Sequence, residues 1–514
     1  MKRILTINLS IALLSLFVYV SAQDQNTLVI KVDQGKDTIS RNIYGQFSEH
    51  LGNCIYGGIW VGENSPIPNT RGMRNDVINA LKDISVPVLR WPGGCFADIY
   101  HWKDGIGPRD QRPKLVNSTW GGVLEDNSFG THEFLDFCNL IGAEPYFAVN
   151  VGSGSVRDAV EWIQYVTADD GSPMALLRKQ NGQDKPWKVK YWGIGNESWG
   201  CGGNMDASFY TDLFKQYSTF CHVPFKVASG GLDFDTTWTA TFMKDMRYHM
   251  NLVKGYSFHY YSICHDWQHK GDAVNFDKSE WFLTLKSVYH VKHQLENQIH
   301  VLDEYDPQNR IALIADEWGN WYDPAPGNKR ILFQQNTLRD AVSAAVYLNI
   351  FNDHCRRVKM ANIAQIVNVL QSMILTRDAQ MVLTPTYYVF KMYKVHQDAL
   401  LLPCDLKAPE IQNGDASIPS MSVSASKDKN GVIHVTLANL DPDKSYDLTC
   451  SLEGAQLGKN ITGQIITADK MNAYNDFGKK EEVNLQPFTG FDVKKDLLIL
   501  HMPAKSVVGI SISK

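Results

Sequence analysis

Strand-like and helix-like segments alternate along roughly the first 400 residues of the chain. Eight short apolar segments, rich in β-branched and aromatic residues, predict strands; they span residues 43–50, 86–94, 144–152, 189–197, 225–231, 256–261, 311–319 and 361–369. Between them, apolar residues recur at spacings of three and four and predict helices; the clearest span residues 75–84, 131–142, 156–166, 206–220, 337–351 and 384–396. This repetition predicts an α/β fold, a (β/α)8 TIM barrel over residues 43–397.

A doubly wound open sheet would also alternate strands and helices. Its nucleotide-binding form carries a GxGxxG turn after a strand, and this sequence has no such turn. The closed barrel is therefore the better prediction.

The pattern changes after residue 400 to an alternation of apolar and polar residues with a period of two. Asn430-Gly431 and Pro442-Asp443 mark turns between these segments. Residues 398–514 are therefore predicted to form an antiparallel, jelly-roll-like β-sandwich. A strand-like run within residues 23–42 is expected to join this sandwich, because chain ends often lie close together.

Length and composition agree with a globular protein of two domains. The chain has 514 residues, of which 44% are apolar and 20% charged. The net charge of −5 and the lack of any Lys/Arg run argue against a nucleic-acid-binding protein. The count of 13 tryptophans is high. Tryptophans can line a ligand cleft or pack in the core.

The N-terminus has the pattern of a secretory signal. Lys2 and Arg3 precede an apolar stretch over residues 4–20, and Ala22 offers a cleavage point. We therefore expect residues 1–22 to be a signal peptide, which would place the mature protein in the periplasm or outside the cell. The nine cysteines have irregular spacing and no CxxC pair, so one or two disulfides are possible and their pairing cannot be read.

Polar residues end most of the predicted barrel strands, where the active sites of such barrels lie. Glu197 follows the fourth strand and Glu317 lies in the seventh, and these strand ends face each other across a closed barrel. Two carboxylates across a cleft suit glycosidic hydrolysis, in which one donates a proton and the other attacks the anomeric carbon. The alternative is that both are structural, capping helices or pairing with arginines. Tryptophans, which stack on sugar faces, lie near both: Trp192, Trp199, Trp318 and Trp321.

His265 and His269 have the i, i+4 spacing that could hold zinc on a helix. No HExxH motif supports this, and the segment follows a strand end, so we favour loop histidines beside a cleft. We expect neither a metal nor a cofactor.

Five motifs in a fixed order resemble those of glycoside hydrolase family 51, whose members are mostly α-L-arabinofuranosidases. The motifs are RWPGGCFADIYHWKDGIGPRDQRP, WGIGNESWGCGG, FHYY, ADEWGNWY and ANIAQIVNVLQSMI. The resemblance covers residues 45–386. It implies retaining chemistry, with Glu317 as the nucleophile and Glu197 as the general acid/base. It also implies a homo-oligomer.

The same resemblance implies a set of substrate-binding residues. Asn196 matches a residue that binds the sugar 2-hydroxyl, and His259 and Tyr261 match a pair beside the nucleophile. Trp120 and Trp321 are expected to form subsite walls. The remaining expected substrate-binding residues are Glu49, Arg90, Gln365 and Cys95.

Two features depart from the commoner family pattern. Cys95 stands where asparagine is frequent, and a thiol is a poorer hydrogen-bond partner than an amide for a sugar hydroxyl. The loop SWGCGG after Glu197 is also unusual, and we expect this loop to influence substrate choice.

The sequence thus predicts a retaining, exo-acting α-L-arabinofuranosidase that acts on arabinan, arabinoxylan or oligosaccharides derived from plant cell walls. A second hypothesis is a retaining β-glycosidase or endo-glucanase on the same barrel. A third is a carbohydrate-binding protein without catalytic activity, which the presence of both carboxylates disfavours.

Overall fold

The computed structural model describes residues 26–233, 235–326 and 329–513. Within these ranges, eight parallel strands form a closed barrel in which each strand pairs with the next along the chain. The last strand pairs with the first through Asn362 with Gly45 and Ile363 with Gln46. The predicted (β/α)8 barrel is confirmed. Its strands are β1 (Gly45–Phe47), β2 (Val88–Trp91), β3 (Glu144–Val149), β4 (Tyr191–Ile194), β5 (Phe225–Ala228), β6 (Gly255–Ser262), β7 (Ala312–Asn320) and β8 (Val358–Ile363).

Local capping signals set the ends of several helices. The helix Val156–Thr167 (α3) starts with a capping box: the backbone N–H of Asp158 donates to Ser155 Oγ (3.2 Å), and Asp158 Oδ2 accepts from the Ser155 N–H (3.1 Å). Gly142 ends the helix Thr131–Ile141 (α2) in the left-handed region, at φ 80°. The helices are α1 (Asn75–Asp83), α2 (Thr131–Ile141), α3 (Val156–Thr167), α4 (Pro173–Gln180), α5 (Ala207–Phe220), α6 (Thr236–Met246), α7 (Lys278–Tyr305), α8 (Leu338–Asp353) and α9 (Pro385–Tyr393).

The barrel interior has an apolar layer below a polar one. The apolar layer consists of Val88, Tyr146, Tyr191, Val227, Ile314 and Met360, all buried. Tyr146 connects the two layers, because its O–H donates to Asp316 Oδ2 (2.7 Å). Asn362 Nδ2 donates to the other oxygen of this carboxylate (2.8 Å). The polar layer therefore begins at Asp316, one residue before the predicted nucleophile.

A β-sandwich follows the barrel, and its strands are mainly antiparallel, as predicted. One sheet orders Cys404–Lys407, Asn26–Lys31, Tyr446–Glu453, Leu497–Met502 and Phe491–Lys494. The other orders Leu400–Leu402, Met421–Lys427, Ile433–Asn439, Ser506–Ser513, Asn460–Ile466 and Gln486–Pro487. Asn26–Lys31 pairs antiparallel with Cys404–Lys407 and parallel with Tyr446–Glu453. The N-terminal segment of the described chain is thus part of the sandwich.

Several short elements connect the longer strands and helices. Four hairpins pair Asn69–Thr70 with Met73–Arg74, Leu115–Asn117 with Val123–Glu125, Ile374–Arg377 with Gln380–Leu383, and Glu410–Asn413 with Ala416–Pro419 in the described residues. Single 3-10 turns span Arg41–Tyr44, Cys95–Ile99, Trp102–Gly105, Arg109–Gln111, Met250–Leu252 and Lys394–His396. Among the described helices, none combines the length and apolarity that a membrane span requires.

Helix α8 joins the two domains and is buried along almost its whole length. Asn349 Nδ2 donates to Ser422 Oγ (3.0 Å), and Asn352 Nδ2 donates to Ser424 Oγ (3.3 Å). A helix that contacts the barrel on one side and the sandwich on the other has no solvent-facing side, which explains its apolar composition.

His396 lies buried at the same junction, where its ring nitrogens contact Ser426 Oγ (2.7 Å) and Thr436 Oγ1 (3.0 Å). Burial lowers its pKa to about 3, and the nearby His434 contributes to this shift. At pH values between about 3 and 6.5, this histidine is protonated in the unfolded chain but neutral in the folded protein. The free energy of unfolding therefore falls as the pH drops through this range. We expect this histidine to account for a loss of about 2.5 kcal/mol between about pH 7 and pH 4.5.

Urea unfolding of His396→Gln over that pH range checks this expectation, since the variant should lose less of its unfolding free energy than the wild type. His222→Gln, at an exposed histidine just after α5, should retain the wild-type loss. A wild-type loss that is unchanged in His396→Gln would contradict the assignment.

Candidate active site

The carboxyl ends of the barrel strands gather the predicted site residues. Glu49 follows β1, Arg90 lies in β2, and Asn196 and Glu197 follow β4. His259 and Tyr261 lie in β6, Glu317 lies in β7, and Gln365 follows β8. Hydrogen bonds link Glu317 to Arg90 and Tyr261, and Arg90 to Asn196. Two further bonds join Glu197 to His259 and Glu49 to Gln365.

A bulge in β7 directs Glu317 into the barrel. Phe258 pairs with Ala315, but the next residue, His259, pairs with Glu317, so Asp316 is an extra residue in β7. Strict alternation would send neighbouring side chains to opposite faces. Instead, both Asp316 and Glu317 contact Arg90 in the interior.

Two donors hold the Glu317 carboxylate. Arg90 Nη1 donates to Oε1 (2.8 Å), and the Tyr261 O–H donates to Oε2 (2.7 Å). Burial by itself raises the pKa of this carboxyl, but His259, Arg90 and the two hydrogen bonds outweigh burial and leave the pKa below its usual value. Glu317 is therefore held ionised. A Cβ at Gly94 would lie 2.6 Å from Glu317 Oε1, which explains the glycine there.

Glu197 lies in a different environment. Its backbone has φ 37°, in the left-handed region that non-glycine residues seldom adopt. Its Oε1 lies 2.8 Å from His259 Nδ1, and its side chain is 19% exposed, against 8% for Glu317. Burial lowers the pKa of His259, but Glu317 and Glu197 outweigh burial and raise it.

The two carboxylates are close to each other. One oxygen of Glu197, one of Glu317 and a ring nitrogen of His259 all lie within 4.8 Å of one another. Retaining glycosidases place their two carboxyl groups about 5–5.5 Å apart. The spacing therefore suits a double displacement.

Arg90 connects Glu317 to Asn196. Its Nη2 donates to Asn196 Oδ1 (2.6 Å), while Nη1 is bound to Glu317. The guanidinium lies 4.6 Å from the centre of the Phe47 ring and is buried. Arg90 occupies the amide oxygen of Asn196. The Nδ2 of Asn196 is therefore the group that can donate a hydrogen bond to another partner.

Glu49 is a further buried carboxyl group at the barrel rim. Its Oε1 accepts from the Phe96 N–H (3.0 Å) and Trp120 Nε1 (2.9 Å), and its Oε2 accepts from Gln365 Nε2 (3.0 Å). Burial and the charge of Glu317 raise its pKa to about 7, against the effect of the three donors. Through these bonds, Glu49 connects the loop after β8 with the hairpin that contains Trp120.

Aromatic rings lead from Glu317 towards solvent. Tyr261, which binds Glu317, contacts Trp321 edge-on with centroids 5.1 Å apart. Trp321 in turn contacts Trp267 edge-on at 5.6 Å. Trp267 is 46% exposed, and the sequence reasoning missed it. Its only signal was a tryptophan six residues after the FHYY motif.

Cys95 differs from the expectation. Its sulfur is bonded to Cys201, so no thiol is available there for a sugar hydroxyl. The sequence could not show this pairing, because the two cysteines are 106 residues apart and meet only when β2 and β4 both end at the rim. Among the described residues the other cysteines are free: Cys54, Cys138, Cys221, Cys264, Cys355, Cys404 and Cys450.

His265 and His269 lie in a loop after β6 rather than on a helix, so their i, i+4 spacing does not place them on one helical face. His269 contacts Asp266 (3.3 Å), and His265 contacts Glu280 (3.5 Å). Nearer the rim, the Glu197–His259–Glu317 group has a spacing that a metal ion could bridge. There, the guanidinium of Arg90 already supplies positive charge to Glu317 and would repel a cation.

Comparison with known proteins agrees with the motifs. A model described as "Alpha-L-arabinofuranosidase 1 domain" matches residues 80–275. A model described as "Alpha-L-arabinofuranosidase C-terminal domain" matches residues 316–506.

Individual relatives match nearly the whole chain. An intracellular exo-α-L-arabinofuranosidase of Bacteroides ovatus is 52% identical over 510 residues, covering 98% of each chain. The crystal structure of a family 51 arabinofuranosidase from Xanthomonas axonopodis pv. citri has a TM-score of 0.93 and 44% identity, covering 95% of this chain and 100% of that one. The arabinose complex of the Thermotoga maritima α-L-arabinofuranosidase has a TM-score of 0.83 and 29% identity, covering 95% and 99%.

A (β/α)8 barrel with two carboxylates facing each other at its rim defines a glycoside hydrolase. With these relatives, the more particular conclusion follows: the chain belongs to glycoside hydrolase family 51, the α-L-arabinofuranosidases.

The comparison also corrects one prediction. The expected export is contradicted, since the Bacteroides ovatus relative, which matches 98% of this chain, is named intracellular. The expectation rested on local composition, two basic residues before an apolar stretch, and such a pattern does not by itself require export. Residues 1–22 lie outside the described residues.

Replacing Tyr261 by phenylalanine tests the electrostatic account of Glu317. The variant loses the 2.7 Å hydrogen bond to Oε2, so the pKa of Glu317 should rise. A hydrogen bond to a charged group is worth about 1.5–3 kcal/mol, so the acid limb of kcat/KM should move up by about one pH unit. Activity is then lost at a higher pH than in the wild type. Kinetics with an activated aryl α-L-arabinofuranoside would show this shift.

Tyr260→Phe is the matched control, because the Tyr260 O–H donates to the backbone of Ser287 in α7 (2.6 Å), away from the site. Its acid limb should stay in place. If the acid limbs of Tyr261→Phe and the wild type lie at the same pH, this hydrogen bond does not set the pKa of Glu317.

Proposed function

We propose that the protein is a retaining, exo-acting α-L-arabinofuranosidase in which Glu317 is the nucleophile and Glu197 the general acid/base. The observation that carries the proposal is the pair of close carboxylates in unlike environments. Glu317 is buried and bound by Arg90 and Tyr261, whereas Glu197 is more exposed and contacts His259. Unlike environments allow two carboxyl groups to take opposite roles in one reaction.

In the first step, an oxygen of Glu317 attacks the anomeric carbon of a terminal arabinofuranose. Glu197 donates its proton to the glycosidic oxygen as the bond to the leaving group breaks. The product is an arabinosyl ester on Glu317. Arg90 and Tyr261 serve this step because they keep the attacking carboxylate ionised.

In the second step, Glu197 accepts a proton from water, and the water oxygen attacks the anomeric carbon. Arabinose leaves with its original configuration, and both carboxyl groups return to their starting states. Asn196 is proposed to bind the sugar 2-hydroxyl through Nδ2, since Arg90 occupies its amide oxygen.

The proposed substrates are arabinose-containing oligosaccharides or polysaccharides of plant cell walls. The name of the Bacteroides ovatus relative supports the exo mode. Trp321 and Trp267 are proposed to line the leaving-group side, because exposed rings stack on sugar faces. We also propose a homo-oligomer, which sedimentation would test.

A panel of aryl glycosides tests the function. We expect turnover of the aryl α-L-arabinofuranoside and little or none of the β-glucoside or β-xyloside, with proton NMR showing retained configuration in the first product. A preference for a β-glycoside would favour the second hypothesis, and binding without turnover would favour the third. Product analysis on branched arabinan, arabinoxylan and linear arabino-oligosaccharides then defines the substrate.

A further inference from the structure

The Cys95–Cys201 disulfide lies directly against the proposed acid/base. Cys201 Sγ is 3.5 Å and Cys95 Sγ is 3.9 Å from Glu197 Oε2. Cys201 Sγ is also 3.9 Å from Asn196 Nδ2. The bridge therefore touches both residues that the proposed mechanism places after β4.

The bridge holds a strained segment. Glu197 is in the left-handed region, and such backbone persists only where its surroundings over-determine it. On one side, the N–H groups of Gly200 (2.8 Å) and Gly202 (3.1 Å) donate to the Glu197 carbonyl. On the other side, Cys201 ties the loop to Cys95, in the turn after β2. Opening the bridge would remove the second of these constraints.

The oxidation state of Cys95 and Cys201 also determines which groups contact Glu197 Oε2. A disulfide sulfur carries no hydrogen and cannot donate, so the bridge leaves Oε2 available to hold the proton for the leaving group. A dithiol reductant would transfer two electrons and two protons to the bridge, forming two thiols and a cyclic disulfide. Each new S–H is a weak donor that could compete for Oε2.

We propose that this disulfide is a positioning element for Glu197, and that reducing it selectively slows hydrolysis of substrates with poor leaving groups. The proposal rests on the proposed function, in which Glu197 is the acid. Cys201 is exposed and Cys95 half-buried, so a soluble reductant can reach the bond. Accessible disulfides are reduced in reducing compartments. Because the Bacteroides ovatus relative is named intracellular, the reduced form of the bridge is relevant here.

The test compares oxidised and dithiothreitol-reduced protein on two substrates. An activated aryl arabinofuranoside needs little acid assistance, whereas methyl α-L-arabinofuranoside or an arabino-oligosaccharide needs much. Thiol titration in denaturant should give seven thiols before reduction and nine after it. Reduction should lower kcat/KM for the poor leaving group on the order of 10- to 100-fold, and that for the aryl substrate less than about threefold. A chelator prevents the freed thiols and Glu197 from capturing a metal.

Two variants separate the contributions. The double variant Cys95→Ala, Cys201→Ala has no bridge and no thiols, and it should show the selective loss with no response to dithiothreitol. Cys404→Ser, at a free cysteine in the sandwich, should respond to reduction as the wild type does. Near-UV circular dichroism confirms that each protein is folded.

The outcomes distinguish this inference from the proposed function. No turnover of any arabinofuranoside by the oxidised protein would refute the function itself. Normal turnover with an unchanged ratio between the two substrates after complete reduction would overturn the role of the disulfide alone. An equal fall on both substrates would also overturn it, since the bridge would then support the site as a whole rather than Glu197.

Discussion

Replacing Glu317 by glutamine should leave a folded protein whose turnover of an aryl α-L-arabinofuranoside is lower by on the order of 10⁴-fold or more. An amide of the same size can still accept from Arg90, so the packing of the buried site is preserved. It cannot form a glycosyl ester, so the covalent step is lost. Steady-state kinetics and thermal unfolding, measured together, separate loss of chemistry from loss of folding.

Glu317→Ala adds a stereochemical test. Removing the carboxylate opens space for azide, which would attack the anomeric carbon directly and give an azide of inverted, β configuration. Glu410→Gln, at an exposed glutamate of a sandwich hairpin, is the matched control and should keep wild-type activity. Turnover near the wild-type value in Glu317→Gln would exclude this residue as the nucleophile.

The second large effect is expected for Glu197→Ala, and it depends on the leaving group. Without the acid, kcat/KM for substrates with poor leaving groups should fall by about 10²–10⁴-fold. An activated aryl group departs without a proton, so its first step should change little. The second step still needs a base, so the arabinosyl enzyme should accumulate and be visible by mass spectrometry.

Azide should rescue this variant, because it needs no base to attack the intermediate. The product should be an α-L-arabinofuranosyl azide, opposite in configuration to that from Glu317→Ala, since two inversions give retention. Identical azide anomers from the two variants would contradict the assigned roles. An equal loss on activated and poor leaving groups in Glu197→Ala would exclude the acid role.

The different roles proposed for the two carboxyl groups rest on their neighbours rather than on their residue type. Arg90 and Tyr261 bind Glu317 where it is most buried, while Glu197 contacts His259 and the Cys95–Cys201 bridge nearer to solvent. The expected shift of the acid limb in Tyr261→Phe examines one of these neighbours, and reduction of the bridge examines another.

Periodicity and local signals were sufficient to predict the barrel. The strand and helix segments were strongly patterned, and the predicted helix at 131–142 matches Thr131–Ile141 because Gly142 stops it locally. The change to a period of two likewise predicted the sandwich. The proximity of chain ends also predicted that the N-terminal strand joins the sandwich. Only the structure identified the partners of Asn26–Lys31, which are Cys404–Lys407 and Tyr446–Glu453 near the other end of the chain.

The order of motifs along the chain, and their resemblance to family 51, identified the residues of the candidate site. Glu197, Glu317 and Arg90 could be named because each follows or ends an apolar strand, and a closed barrel brings such ends together. Trp267 could not be named, since its position depends on how an irregular loop packs against Trp321. The export prediction was contradicted, because it depended on composition alone.

By itself, the sequence determined the fold class and the family and singled out the two candidate carboxylates, because these follow from periodicity and from the order of motifs along the chain. Only the tertiary structure decided how these carboxylates are placed. The bulge at Asp316 turns the Glu317 side chain into the barrel. The left-handed backbone of Glu197 sets the direction of its side chain, and the Cys95–Cys201 disulfide contacts that side chain. Each of these depends on contacts between residues far apart in the chain, and no local pattern of side chains records such contacts.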